Sequence, residues 1–491
     1  MDTHHAVSFG LRLQIPLGLV LAALACAGSL AAPPVELGPL VHEFSLTLAP
    51  GERVEAVGPL LCYEQREHSI EEWALSPLLS HTTDRQLDSE EFDFLYPLLT
   101  YDRFGSEYKL RWFLLTTASG GQDQRDNLRR RFTIFPFYFQ QRSPDPRFCY
   151  TAVFPLHGTI QERLQRDEIK FTLFPLYART RKRDVVTENY LYPVFHLRRG
   201  EGLQGWQVWP FVGHETKAVT YRTNSLDELE TVGGHEKLFV LWPFYFNERL
   251  GIGTTNPQTD RVLLPFCSLT RSPARDSSSY LWPFFTYTND RAKQYREWDA
   301  PWPLIVFARG EGKTVNRVWP FFSQSRSATI RKEFYLWPVY KRNRVHVPPL
   351  DRDRLRLLFF LYSDLTERNL DTGAALRRTD LWPLFTARRD REGLQRLQIL
   401  ALLEPLLPNN KSLERNYSPL WALWRSERNL KTGAASQSAF WNLYRRETTP
   451  EAKKCSLLFG LFQYQTGPDG RRMRVCYVPV MNTRKPPATA P

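Results

Sequence analysis

Residues 301–340 read PWPLIVFARG EGKTVNRVWP FFSQSRSATI RKEFYLWPVY, and their three Trp-Pro pairs set the frame for the whole chain. Trp302-Pro303, Trp319-Pro320 and Trp337-Pro338 stand 17 and 18 residues apart, each inside a short apolar block. Arg309-Gly310-Glu311-Gly312, between the first two, is a polar, glycine-containing stretch of the kind that joins antiparallel strands. A proline at the centre of each block excludes a helix interior. Around Pro338, alternate residues fall into two sets: Phe334, Leu336, Pro338 and Tyr340, against Glu333, Tyr335, Trp337, Val339 and Lys341. Such alternation is the pattern of a strand, so the expectation is a strand centred on each proline. Closing the loop at Ala308 and Lys313 would set Pro320 opposite Pro301 and Pro303 opposite Val318. The blocks would then form an aromatic belt at mid-height of a sheet.

The block recurs in both directions. It is carried by Pro97, Pro136, Pro175, Pro193, Trp209-Pro210, Trp242-Pro243, Trp282-Pro283 and Trp382-Pro383 as well as by the three pairs above. In all, 18 blocks keep the proline between Pro59 and Pro479, and four more, near Phe113, Phe359, Asn442 and Gly460, have lost it. Spacings run from 14 to 24 residues except for one of 33 between Pro210 and Pro243. That longer interval, Val212 to Leu238, predicts a large loop with a degenerate strand at Val219–Thr223. Seven of the 14 Trp directly precede a proline, so the repeat accounts for much of the aromatic content of 14% and for the 36 Pro. Self-similarity at a fixed period identifies a repeat architecture. The fold class expected is all-β: an antiparallel meander of about 20–22 aromatic-Pro strands, closed as a large barrel or left as an extended sheet or β-solenoid.

The ends set the compartment. Arg12, an apolar run from Ile15 to Ala27, small residues and then Pro33-Pro34 follow the order of a secretory signal. Residues 1–32 are therefore expected to be a signal peptide, 33–480 a single β-repeat domain and 481–491 a polar tail. Leu24-Ala25-Cys26 also resembles a lipoprotein cleavage box, with Ala23 in place of the usual large apolar residue. Cys62, Cys149, Cys267, Cys455 and Cys476 are scattered and odd in number, which argues against a disulfide scaffold or a zinc site. Mostly buried thiols, with one or two bridges, are expected.

Motifs for catalysis fail on inspection. Asp371-Thr372-Gly373 matches the triplet of aspartic proteases, but its context Glu367-Arg368-Asn369-Leu370 recurs at Glu427-Arg428-Asn429-Leu430, where Lys431 replaces the Asp. It reads as a duplicated turn. Gly251-Ile252-Gly253 lacks the third glycine of a dinucleotide loop, and His214-Glu215 and His235-Glu236 lack the second histidine of a zinc helix. No catalytic, cofactor-binding or metal-binding residue is assigned.

The net charge of +13 favours anionic partners. Arg129-Arg130-Arg131 and Arg179-Thr180-Arg181-Lys182-Arg183 lie beside aromatics, but an exported chain points to membrane lipid or an anionic envelope polymer, not nucleic acid. Period, alternation and aromatic content resemble those of bacterial outer-membrane β-barrels. On that reading the protein is a non-catalytic outer-membrane pore or transport component, with Phe334, Leu336 and Tyr340 facing lipid and Trp337 facing the lumen. The other reading is a periplasmic or surface-exposed β-repeat protein, lipidated or free, that binds or supports a partner.

Overall fold

The computed structural model of the chain describes residues 40–67, 69–121, 129–223, 229–468 and 470–484. The expected signal peptide, Cys26 and the last residues of the expected tail lie outside them. Strand accounts for 62% of the chain and helix for 4%. One antiparallel sheet of 43 strands runs through it, and a separate two-stranded hairpin, Thr220–Thr223 with Leu229–Val232, stands in the long interval. That interval was expected to be mostly loop. Its flanks, Val212–Lys217 and Gly234–Val240, instead pair with each other in the main sheet.

The all-β meander is present, but its strands are not centred on proline. Leu173-Phe174-Pro175-Leu176 is a turn, flanked by the strands Arg166–Thr172 and Tyr177–Lys182. Leu241–Phe244, Leu281–Phe284 and Leu336–Val339 are turns of the same kind. Pro97, Pro136, Pro193, Pro210, Pro303, Pro320 and Pro383 likewise sit in turns. One repeat is therefore a whole hairpin: two strands, a polar turn and an aromatic-Pro turn. This is why the strands number 43 and not 20–22. The apolar run misled because residues on either side of the turn, such as Tyr335 and Tyr340, are aromatic too and stand opposite each other.

The physical reason for the turn is plain in its hydrogen bonds. Val339 N–H donates to the Leu336 carbonyl at 2.7 Å, and Phe244 to Leu241 at 2.7 Å, closing four-residue turns with proline third. The peptide bond before each such proline is cis, the arrangement of a type VI turn. The turn is closed by the N–H of the residue after proline, so the missing proline N–H breaks none of these bonds, and the proline carbonyl still accepts: Trp337 N–H donates to Pro320 at 2.7 Å, and Trp242 to Pro210 at 2.6 Å. The ladder thus passes from turn to turn.

The opposite turns are short and polar. Gly310 pairs with Lys313 around Glu311-Gly312, where Gly312 has φ +76°. The loop has two residues, not four, and Ile305 rather than Pro303 faces Val318. Gly200 and Leu203 enclose Glu201-Gly202 in the same way. A shift of two leaves the faces unchanged.

Register is level along the whole sheet. A single row of directly opposed residues runs without a break from His42 through Ser80, Asp93, Asn189, Ser279, Asp380 and Ser456 to Arg474. All aromatic-Pro turns therefore lie along one edge of the ribbon and all polar turns along the other.

The ribbon bends back on the face carrying that row, here called the inner face. Arg445 stacks on the Phe44 ring at 3.3 Å, and Asn442 donates to Glu55 at 2.5 Å. Residues 400–423 interrupt the repeat between Leu394–Ile399 and Trp424–Asn429. They carry two short helices, α1 (Lys411–Asn416) and α2 (Ser418–Trp421), where Pro419 belongs to a helix and not a turn. Asn410 caps α1 by accepting from Leu413 N–H. The insertion lies on the inner face near residues 80–96, where Asn410 donates to the Tyr96 hydroxyl at 2.8 Å. Apolar packing is local: Phe139, Tyr150, Ala152, Ile160, Phe171 and Ala178 form one small core, and Val306, Ala308 and Val315 another.

Candidate functional site

The aromatic-Pro edge is the largest feature that folding leaves unsatisfied. Residues before successive prolines, or at the same place in a block that has lost its proline, contact one another in a ring ladder. Phe154, Phe174 and Tyr192 follow at centroid distances of 5.2 and 5.6 Å, Trp209 and Trp242 at 5.7 Å, and Trp319, Trp337 and Phe359 at 5.9 and 5.1 Å. Yet the edge stays open to solvent. Trp242 is 46% exposed, Leu241 55% and Phe321 60%; Trp282, Trp302 and Trp337 are comparable, while Trp209 and Trp382 are half-buried. The Trp382 indole donates to the Leu402 carbonyl at 2.9 Å, under the insertion.

The outer face next to this edge is apolar as well. Tyr177, Tyr190, Phe195, Val208, Val212, Val240 and Tyr245 follow one another as direct cross-strand neighbours. Two residues further from the edge the row turns mixed: Arg179, Glu188, Leu197, Trp206, His214. Two further still it is polar: Arg181, Val186, Arg199, Gln204, Thr216. Turn and first row together make a band roughly 10 Å deep, at ~3.3 Å per residue level. With 43 strands at ~4.8 Å, the band is about 200 Å long. The faces differ from the expected ones: Tyr335 and Tyr340 share the outer face, Phe334 lies on the inner face, and Leu336–Val339 form the edge.

The inner face is mostly polar and, where the ribbon meets itself, charged and buried. Arg53 bridges Glu55 at 2.8 Å and Glu64 at 2.9 Å, and Arg66 reaches Glu72 at 3.3 Å. Burial, with the charge of Arg53 adding, lowers the Arg425 pKa to about 10. Burial acts to raise Glu55, but Arg53, Arg445 and Arg425 outweigh it and hold that carboxyl below its ordinary range. Burial, reinforced by Glu64, pushes Glu72 up. These groups join two parts of the ribbon, and their pairing is structural.

Other candidate motifs resolve into turns and pairs. Asn369 accepts from the N–H of Asp371 at 2.9 Å and of Thr372 at 3.1 Å, and Asn429 accepts from Lys431 at 3.0 Å and Thr432 at 3.3 Å. The two triplets are one turn made twice. His235 pairs with Glu215 at 2.7 Å across strands. The five cysteines from Cys62 to Cys476 are unbridged, and only Cys62 is buried, against the expectation of mostly buried thiols with one or two bridges. Among the described residues no group of three or more His, Cys, Asp or Glu is arranged to hold a metal, and no helix is long and apolar enough to cross a membrane.

No protein-family model matches the chain, and comparison with characterised proteins returns no match.

Proposed function

We propose that this is an exported envelope protein that rests edge-on against a lipid surface, with its aromatic-Pro turns inserted into one leaflet and its polar edge held in water. It acts as a non-catalytic scaffold or binding protein. The observation that carries this reading is the concentration of exposed aromatic and apolar side chains along one edge, in a continuous band about 10 Å deep, whereas those at the polar turns, such as Phe104 and Leu164, are scattered. That depth suits insertion at the headgroup and acyl boundary, ~5–10 Å, where Trp and Tyr are favoured. A spanning barrel requires an apolar band ~25 Å tall and strands staggered to give tilt. Here the strands have 4–8 residues, and the row from His42 to Arg474 accumulates no stagger.

Flotation with phosphatidylcholine vesicles tests the reading. The mature protein should float, its Trp emission should shift to the blue, and lipids brominated near the headgroup should quench it more than lipids brominated at the chain ends. Absence of flotation and quenching would refute edge insertion. Quenching at all depths, with carbonate resistance and a heat-dependent gel shift, would replace it by a spanning pore.

A further inference from the structure

The strands Ile330–Tyr335, Tyr340–Val347 and Leu350–Leu357 carry many cations on both faces, but treat them differently. On the outer face each arginine has an acid. Arg331 pairs with Glu333 at 3.1 Å, Arg342 with Asp353 at 2.6 Å and Arg344 with Asp351 at 3.1 Å. Two strands beyond Leu350–Leu357, on Ala375–Leu381, Arg377 pairs with Asp364 at 3.2 Å.

The inner face of the same strands carries Lys332, Lys341, Arg354 and Arg356, and among the described residues none of the four has an ion pair. The nearby acids are already engaged, Glu367 by Arg352 at 3.0 Å and Asp380 by Arg378 at 2.9 Å. Lys341 and Arg356 are direct cross-strand partners. Like charges so placed repel and weaken a sheet. Arg354 Nε is buried without a hydrogen-bond partner. Burial, then the charges of Arg356 and Arg352, hold the Arg354 pKa below the ordinary arginine value. These three strands pair every arginine on one face and leave four cations without an acid on the other, an arrangement that favours an anion on the second.

Height narrows the anion's chemistry. Lys341 and Arg356 stand one residue inside strand ends that adjoin the aromatic turns 336–339 and 358–361. Resting on the edge insertion proposed above, we infer that Lys332, Lys341, Arg354 and Arg356 form a binding site for a phosphorylated head group, whose acyl chains lie along the adjoining aromatic turns. Guanidinium groups match phosphate oxygens in forked geometry. Ser363, the cross-strand neighbour of Arg356, supplies a hydroxyl at the same level.

The test titrates full-length protein with phosphatidylcholine vesicles, with the same vesicles containing phosphatidic acid, and with inorganic pyrophosphate. Wild type is compared with K341Q/R356Q and with R331Q/R377Q, which removes as much charge from the other face. Circular dichroism establishes that each variant is folded. The gain in affinity from phosphatidic acid should fall about 30-fold in K341Q/R356Q and little in R331Q/R377Q. Pyrophosphate binding should fall with it. Equal losses in the two variants, or none in either, would overturn the site. If no vesicle binds but pyrophosphate does, and only K341Q/R356Q loses it, the phosphate site stands with a soluble source and edge insertion fails.

Discussion

Arg415 donates to Asp93 at 2.6 Å although the two stand 322 positions apart in sequence, and both side chains are almost fully buried. The same guanidinium reaches Ser80 at 2.9 Å, Glu91 at 3.2 Å and Thr82, while Asn416 donates to Asp93 at 3.1 Å. The bend of the ribbon is fastened here. Asp93→Ala leaves a buried cation without its closest acid, which costs about 3–5 kcal/mol. Urea denaturation should show that loss, and Asp93→Ala with Arg415→Met should recover part of it. Arg147→Ala, which breaks an exposed pair with Asp145, should leave the midpoint unchanged. A loss for Asp93→Ala no larger than that would show that the fastening does not hold the bend.

Leu241 opens an aromatic turn with φ +51°, and Leu95, Leu173, Leu191, Leu281 and Leu336 do the same at +41° to +50°. A branched side chain in that region costs roughly 1–3 kcal/mol, whereas glycine adopts it freely. Leu241→Gly should therefore keep or raise the melting temperature while weakening vesicle binding. A coupled loss of both would mean that Leu241 contributes to packing and not to contact with lipid.

Burial, with Glu297 adding, raises the Asp299 carboxyl to about 6, against an ordinary value of ~3.9. The folded chain then binds more protons than the unfolded one between those values, so stability falls as pH rises through that window. Asp299→Asn should match the wild type near pH ~4 and exceed it above pH ~6.5, by on the order of 1 kcal/mol after solvent screening. Parallel melting curves at all pH values would refute the shift.

Gly158 faces Ala152 so closely that an added Cβ would stand 2.3 Å from its Cα and Cβ. Both belong to the inner row beside the Phe139 and Phe171 core. Gly158→Ala should cost about 1–3 kcal/mol by overpacking. Gly312→Ala meets no neighbouring atom, and only its φ of +76° opposes it. A smaller loss at Gly158 than at Gly312 would contradict the packing argument.

The repeat, its period and its β character were legible because proline and aromatics recur at fixed spacing whatever their place in the hairpin. Their phase was not. Tyr335 and Tyr340 extend the apolar run across the turn at Pro338, so strand and turn merge in the pattern, and a residue's neighbour across the hairpin looks like its neighbour along the strand. The duplicated Asn369 and Asn429 turns could be read directly, since both copies keep the capping Asn and the Gly. The unpaired cations at Lys341 and Arg356 were invisible, because their isolation depends on which face each charge of an Arg-rich stretch takes. The Arg415–Asp93 contact left no local signal at all. Nothing within a few residues of either implies a partner several hundred positions away.

Because every hairpin delivers its turn to the same edge at the same height, copy number becomes a dimension that mutation can change independently of everything else. Deleting the hairpin between Trp319 and Trp337 would shorten the ribbon by two strands, about 10 Å, without altering the profile of its rim. Arg415 and Asp93 limit that freedom. Between them the count of hairpins sets the girth of the bent ribbon, and a lineage that gained or lost units there would have to re-seat the fastening. Units added before residue 41 or after residue 445 would lie outside both this fastening and the Phe44–Arg445 contact and meet no such limit, so length variation among descendants of this chain should gather at its two ends.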